Sequence, residues 1–214
     1  MSARPASMNK PQRRKQADRR ADTRRRIIDA TIRCLYRLGY SSTTFALVAE
    51  AADVSRGIIS YHFLTKADLM VAVRDAVYLE ERRQVDEVRA KLGTEKYLQE
   101  LPRIVMAGMR REPAIAVNEI LLAARADPEL SAKLRQEEQE IERHTLASQR
   151  DNYAELGVAP PANLAVMSRV AVATFRGLAI AELVQGEDAE IDACVEYVIQ
   201  LFEKARAPAP SSAS

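Results

Sequence analysis

From about Asp22 onward, apolar residues recur at helical spacing: Ile27, Ile28, Ile32, Leu35, Tyr36 and Leu38 stand three and four apart, and Gly39 closes the run. Ahead of it, residues 1–21 carry Arg, Lys, Pro and Ser with no apolar period, which predicts a disordered basic arm. Residues 44–63 read as two short helices around Asp53-Val54. A longer helix is expected from Thr65, where Thr65-Lys66-Ala67-Asp68 has a capping-box pattern, to a stop at Gly93. Thr94 is placed to cap the next helix, which Pro102 should kink or restart. Pro113 and Pro128 suit first helical turns, the latter after an Asp127 cap. A long charged helix is expected from Pro128 to Leu156, stopped by Gly157 and Pro160-Pro161. Helices over Asn163–Val184 and Asp188–Arg206 follow, and residues 207–214 predict a disordered tail. No segment alternates as a strand would, so the chain reads as all-α, with about nine helices.

Composition supports that reading. Hydrophobic residues make up 47% of the 214, aromatics only 5%, and there is no Trp. Ala and unbranched side chains lose little freedom in a helix. No apolar run reaches the roughly 20 residues that span a bilayer, and the basic amino terminus lacks the apolar segment of a secretory signal. A cytoplasmic protein is expected. The net charge of +2 hides an asymmetry: residues 1–74 hold 15 Lys/Arg against 6 Asp/Glu, and the remainder 17 against 24. One end of the chain is suited to a polyanion.

The stretch from Thr43 to Phe63 has the signals of a helix-turn-helix. Ala49 is small enough for the closest approach of two crossing helices. Val48, Ala52, Val54, Ile59 and Phe63 supply apolar contacts, and Val54 and Ile59 bracket Ser55 as a hydrophobic staple around a helix cap. With Ile59 and Phe63 inward, the 100° step per residue turns Gly57, Ser60 and Tyr61 outward. Gly57 would let the helix approach a groove floor. Arg56 can reach a guanine edge or a phosphate, and Ser60 a base edge. Tyr61, His62, Thr43 and Thr44 suit phosphate oxygens, Ser55 stands at the helix start, and Lys66 adds charge near the backbone. Ile58 could meet a thymine methyl or only complete packing.

These residues resemble the tetracycline-repressor (TetR) family of bacterial regulators. The likeness runs from about Arg24 to Val77 and rests on Gly39-Tyr40, Thr43-Thr44, Asp53-Val54-Ser55-Arg56-Gly57, Tyr61-His62-Phe63 and Lys66-Ala67-Asp68-Leu69. The family commonly has Gly where Asp53 stands. The resemblance implies a three-helix DNA-binding domain over residues 22–68 and a helical ligand-binding and dimerisation domain over 69–206. It implies a homodimer paired through the last two helices, a double-stranded palindromic operator, and a small-molecule effector that releases a repressor from it. An effector pocket among the helices after Gly93 has Met106, Met109, Asn118, Leu122, Phe175 and Arg176 as candidates by position. Arg176 could bind an anionic group of a ligand, form a salt bridge at the dimer interface, or lie along the surface.

Other chemistry has little support in the chain. Two histidines, His62 and His144, make no metal cluster, and there is no nucleophile–base pair or phosphate-cradling glycine loop. No enzyme activity, metal or cofactor is expected. Cys34 and Cys194 read as two buried free thiols.

Overall fold

A computed structural model describes residues 10–186 and 189–206. The described residues form nine helices and no strand. The amino-terminal set is α1 (Lys10–Ser42), α2 (Phe45–Ala51), α3 (Arg56–His62) and α4 (Lys66–Leu92). The rest are α5 (Thr94–Met109), α6 (Glu112–Ala123), α7 (Pro128–Glu155), α8 (Leu164–Gln185) and α9 (Ala189–Arg206). The first differs from expectation: α1 starts at Lys10, so residues 10–21 are helical where an unstructured arm was predicted. Ala, Gln, Arg and Lys are good helix formers, and adding residues to an existing helix avoids the cost of a new nucleus. Residues 1–9 and the expected tail 207–214 lie outside the described residues.

Local signals set most helix starts. Thr44 and Ser55 cap α2 and α3 by accepting from the N–H groups of Leu47 and Ile58. Thr65 and Asp68 form both arms of the capping box at α4. Asp127 accepts from the Leu130 N–H at the start of α7. The expected Thr94 cap is not made: Gly93 holds the cap position, and Thr94 lies buried in the first turn of α5. Pro102 sits inside α5 without splitting it.

A large apolar core joins α1, α2, α3 and α4 to α6 and the start of α7, through Ile27, Leu35, Val48, Ile59, Leu69, Ile120 and Leu130 among others. The core of the amino-terminal helices thus continues into the helices behind them. A second cluster holds Met106, Phe175, Ala179, Val195 and Ile199 of α5, α8 and α9. Cys34 is buried as expected, with its thiol pushed up by desolvation, but Cys194 is exposed. Cys194 lies on the open side of α9, whose inward positions are taken by Ile191, Val195 and Ile199.

Polar contacts reinforce the joint between the amino-terminal helices and α6–α7. Gly39, at φ 74 and ψ 174, breaks α1 before its last turn. The N–H of Tyr40 then donates to Glu119 Oε2 at 3.0 Å, and its hydroxyl donates to Asp127 Oδ2 at 3.0 Å. Lys133 on α7 bridges Asp68 and Glu129, and the Thr65 hydroxyl donates to Glu129. Lys133 chiefly holds the Asp68 carboxyl below the usual range, and the Leu130 N–H does the same for Asp127. Depressed folded-state values mean stability that is present above the unfolded pKa and lost as pH falls through the folded one. The melting temperature is therefore expected to hold from neutral pH down to about 5 and to fall below about 4. An acid-invariant melting temperature would show that these carboxylates do not tie the joint.

The helix α8 spans 22 residues; its most apolar 18-residue window has a mean hydropathy of 1.5, and only 17% of that window is buried. By length and composition alone it passes as a membrane-crossing helix, although Arg169 and Arg176 interrupt it and no continuous apolar run of that length exists. Val166, Val170, Leu183 and Val184 on α8, with Tyr197 and Leu201 on α9, make an exposed apolar face.

Candidate nucleic-acid interface and ligand cavity

Ile59, fully buried, fixes the rotation of α3, and Phe63 closes its end. That leaves Arg56, Gly57, Ser60 and Tyr61 exposed together, as the sequence predicted, with Ile58 partly exposed beside them. The turn before α3 is tight. The N–H groups of Asp53 and Val54 donate to Glu50 and Ala49 carbonyls, and Asp53 stands at φ 52. A left-handed non-glycine residue carries strain, least for Asp or Asn. Arg26 of α1 clamps this turn by donating to the carbonyls of Ala52 (2.8 Å) and Asp53 (3.2 Å).

Thr44 and Ser55 are exposed, though each also serves its helix as a cap. Thr43 is not available: it is 1% exposed, and its hydroxyl donates to the Gly39 carbonyl at 2.8 Å. Lys66 also turns inward. Its Nζ donates to the Tyr40 carbonyl at 2.6 Å and lies 3.9 Å from the Tyr40 ring centre. Burial pushes its ammonium group down, so its charge is committed to α1 and is poorly placed for a phosphate. Half-buried His62 stacks edge-on against Tyr61. Burial, then Arg20 and Arg24, hold its imidazole below the usual range.

Arg20 and Arg24 were missed from sequence. Arg20 lies 5.2 Å from the Tyr61 ring centre and Arg24 5.3 Å from that of Phe63, so α1 brings two more cations to the end of α3. Their spacing on α1 gave no sign of this, because only the fold sets α1 against α3.

Behind this surface lies a cavity of about 1520 Å³, walled by residues of α1 and of α4 to α9. Of the expected pocket residues, Met109, Asn118, Phe175 and Arg176 line it. Met106 does not; it packs into the second apolar cluster. Leu122 is 68% exposed, because α6 turns Ala116, Val117 and Ile120 inward instead. The sequence nominated none of Arg74, Glu81, Glu138 and Gln149 for the pocket, though all lie in its wall. Arg74 and Glu138 form a two-point ion pair between α4 and α7. Desolvation raises the Glu81 carboxyl above its usual range.

The family model described as bacterial regulatory proteins, tetR family, matches residues 27–73. The HTH-type transcriptional regulator TtgR of Pseudomonas putida is 44% identical over 57 residues, 27% of each chain. CymR, also of Pseudomonas putida, is 41% identical over 68 residues, 32% of this chain and 34% of the relative. These matches span only about a quarter to a third of the relatives' length. Solved structures extend the likeness. The multidrug binding protein EbrR, complexed with ethidium, aligns with a TM-score of 0.62 at 25% identity, over 87% of this chain and 99% of the other. A TetR transcription regulator from Haloarcula marismortui aligns at 0.64 and 20% identity, over 87% and 97%. Residues 27–73 thus match the tetR family of bacterial regulatory proteins, and the described residues share the helical fold of these solved structures.

Proposed function

We propose that the protein is a cytoplasmic, sequence-specific transcriptional regulator, a homodimeric repressor that leaves a palindromic operator when a small molecule fills the cavity. The observation that carries this reading is the exposed face of α3, and within it Gly57. An alanine methyl there would meet nothing closer than Ser55 Oγ at 3.8 Å, and no positive φ demands glycine. The fold therefore bears a glycine in the first turn of α3 that it does not need, which suits a surface that must approach a groove floor. Gly57→Ala is expected to stabilise the chain by roughly 0.4–1 kcal/mol, since alanine can adopt its backbone conformation, while weakening operator binding. Equal or better DNA binding by this variant would remove the argument.

Residues 22–68 serve as the DNA-binding domain in this reading, and residues 69–206 as the regulatory and dimerisation domain. Dimerisation through α8 and α9 would cover the apolar face of Val170, Leu183 and Leu201 and give the two-fold symmetry a palindrome requires. Release follows from linkage. Val77 places α4 in both the apolar core of the DNA-binding helices and the cavity wall, which Arg74 and Glu81 of the same helix also line. A molecule bound there that favours another α4 position lowers operator affinity by the same factor that the operator lowers its own.

The test is selection of fragmented genomic DNA by purified protein at about 150 mM salt, where purely electrostatic binding is weak. Enrichment of a few fragments sharing a palindrome is expected. Uniform recovery would leave a basic protein without sequence readout and overturn the reading.

A further inference from the structure

The cavity is more polar than a container for apolar molecules needs to be. Arg74 and Glu81 of α4, Glu138 of α7 and Arg176 of α8 line it within electrostatic range of one another. Arg74 takes up the Glu138 carboxylate with two hydrogen bonds. Arg176 is attracted by Glu138 and Glu81 and repelled by Arg74, and its Nε, although buried, has no hydrogen-bond partner. Asn118 of α6 is 7% exposed, and its Nδ2 also lacks a partner. A buried donor without an acceptor costs about 1–3 kcal/mol. Two such donors in one cavity wall call for an acceptor brought from outside. The surrounding wall is apolar, with Leu101, Val105, Val172 and Phe175.

We propose that the cavity takes an apolar, ring- or chain-bearing molecule with one anionic oxygen group, a carboxylate or sulfonate, which accepts from Arg176 Nε and finds a second donor in Asn118 Nδ2. This deepens the effector reading above and rests on it. An anion fits better than a cation on three counts. The unpartnered groups at Arg176 and Asn118 are donors, and a cation has no lone pair to offer them. The Glu138 carboxylate is already engaged by Arg74. Arginines also outnumber carboxylates in the lining, which contains no lysine. Gln149 adds a complement: its Nε2 donates to Ser168 Oγ at 3.4 Å, leaving Oε1 to accept from a donor on the ligand.

Three fluorescent probes of similar ring size separate the possibilities when titrated into the full chain. These are anilinonaphthalene sulfonate, the same ring system without its sulfonate (N-phenyl-naphthylamine), and the cation ethidium. The sulfonate is expected to bind at least about tenfold tighter than the uncharged analogue, the usual scale for a charge-assisted bond. Arg176→Gln should remove that advantage and leave the uncharged probe's affinity in place. Asn118→Leu, which keeps the side-chain volume, should reduce it in part, with thermal melts reporting that each variant is folded. Equal affinity for the two naphthalene probes, tighter binding of ethidium, or sulfonate binding indifferent to both variants would overturn the proposal. Displacement of an operator fragment is scored separately. Sulfonate binding that depends on Arg176 but leaves the operator bound would retain the ligand class and sink the effector reading. Release by the uncharged probe alone would do the reverse.

Discussion

Replacing Arg56 by alanine is expected to lower operator affinity by about one to two orders of magnitude and to loosen base choice at one position of each half-site. Arg56 is the first residue of α3, exposed, and held in place by a helix whose start is fixed by the Ser55 cap and whose rotation is fixed by Ile59. Its removal opens no cavity, so the loss would be read on DNA and not on folding. Tyr61→Ala makes the contrast. Tyr61 is 67% exposed at the other end of the face, beside Arg20. A phenol at that place suits a phosphate oxygen, so its loss should weaken binding to operator and scrambled sequence alike. Anisotropy titrations of both fragments at about 150 mM salt separate the two behaviours. Full affinity in both variants would mean that α3 is not the reading helix.

Gly39→Ala is expected to have the largest effect on stability and to disturb the joint between the two halves of the fold. At φ 74 and ψ 174 the backbone is in a region that glycine alone enters freely, and forcing alanine there costs on the order of 1–3 kcal/mol. For a chain of this size each kcal/mol lowers the melting temperature by roughly 2–4 °C. The added methyl would also stand 3.1 Å from Glu119 Oε2, the acceptor of the Tyr40 N–H. Relief of that contact must move Glu119 and loosen the link from α1 to α6. The expected result is a lower melting temperature together with a smaller change in DNA affinity on filling the cavity. A variant that melts with the wild type would show that the bend at Gly39 is not required.

The helix-turn-helix was legible because its signals are local. A serine cap, a staple and a small residue at the crossing act within a dozen residues, and they place the exposed face of α3 whatever packs behind it. Thr43 and Lys66 misled because sequence sees only that they flank that face. A backbone carbonyl of α1 claims each side chain, and this becomes visible only when α1 is folded against them. The pocket was half legible for the same reason. Position along the chain nominated Met106 and Leu122 as readily as Met109 and Phe175, and helix rotation in the tertiary packing chose between them. Arg74, Glu81, Glu138 and Gln149 were passed over because charged and polar positions on long helices usually face water; here they meet across α4, α7 and α8.

Periodicity and capping are short-range effects, so they were enough to tell that the described residues are helical, where most helices start and stop, and which residues of α3 face outward. The tertiary structure decided what long-range packing controls. It set Arg20 and Arg24 beside the end of α3, committed Thr43 and Lys66 to α1, and gathered Arg74, Glu81, Glu138 and Arg176 within electrostatic range around one cavity. Residues far apart in the chain share an environment only after burial of the apolar faces has fixed how the helices lie.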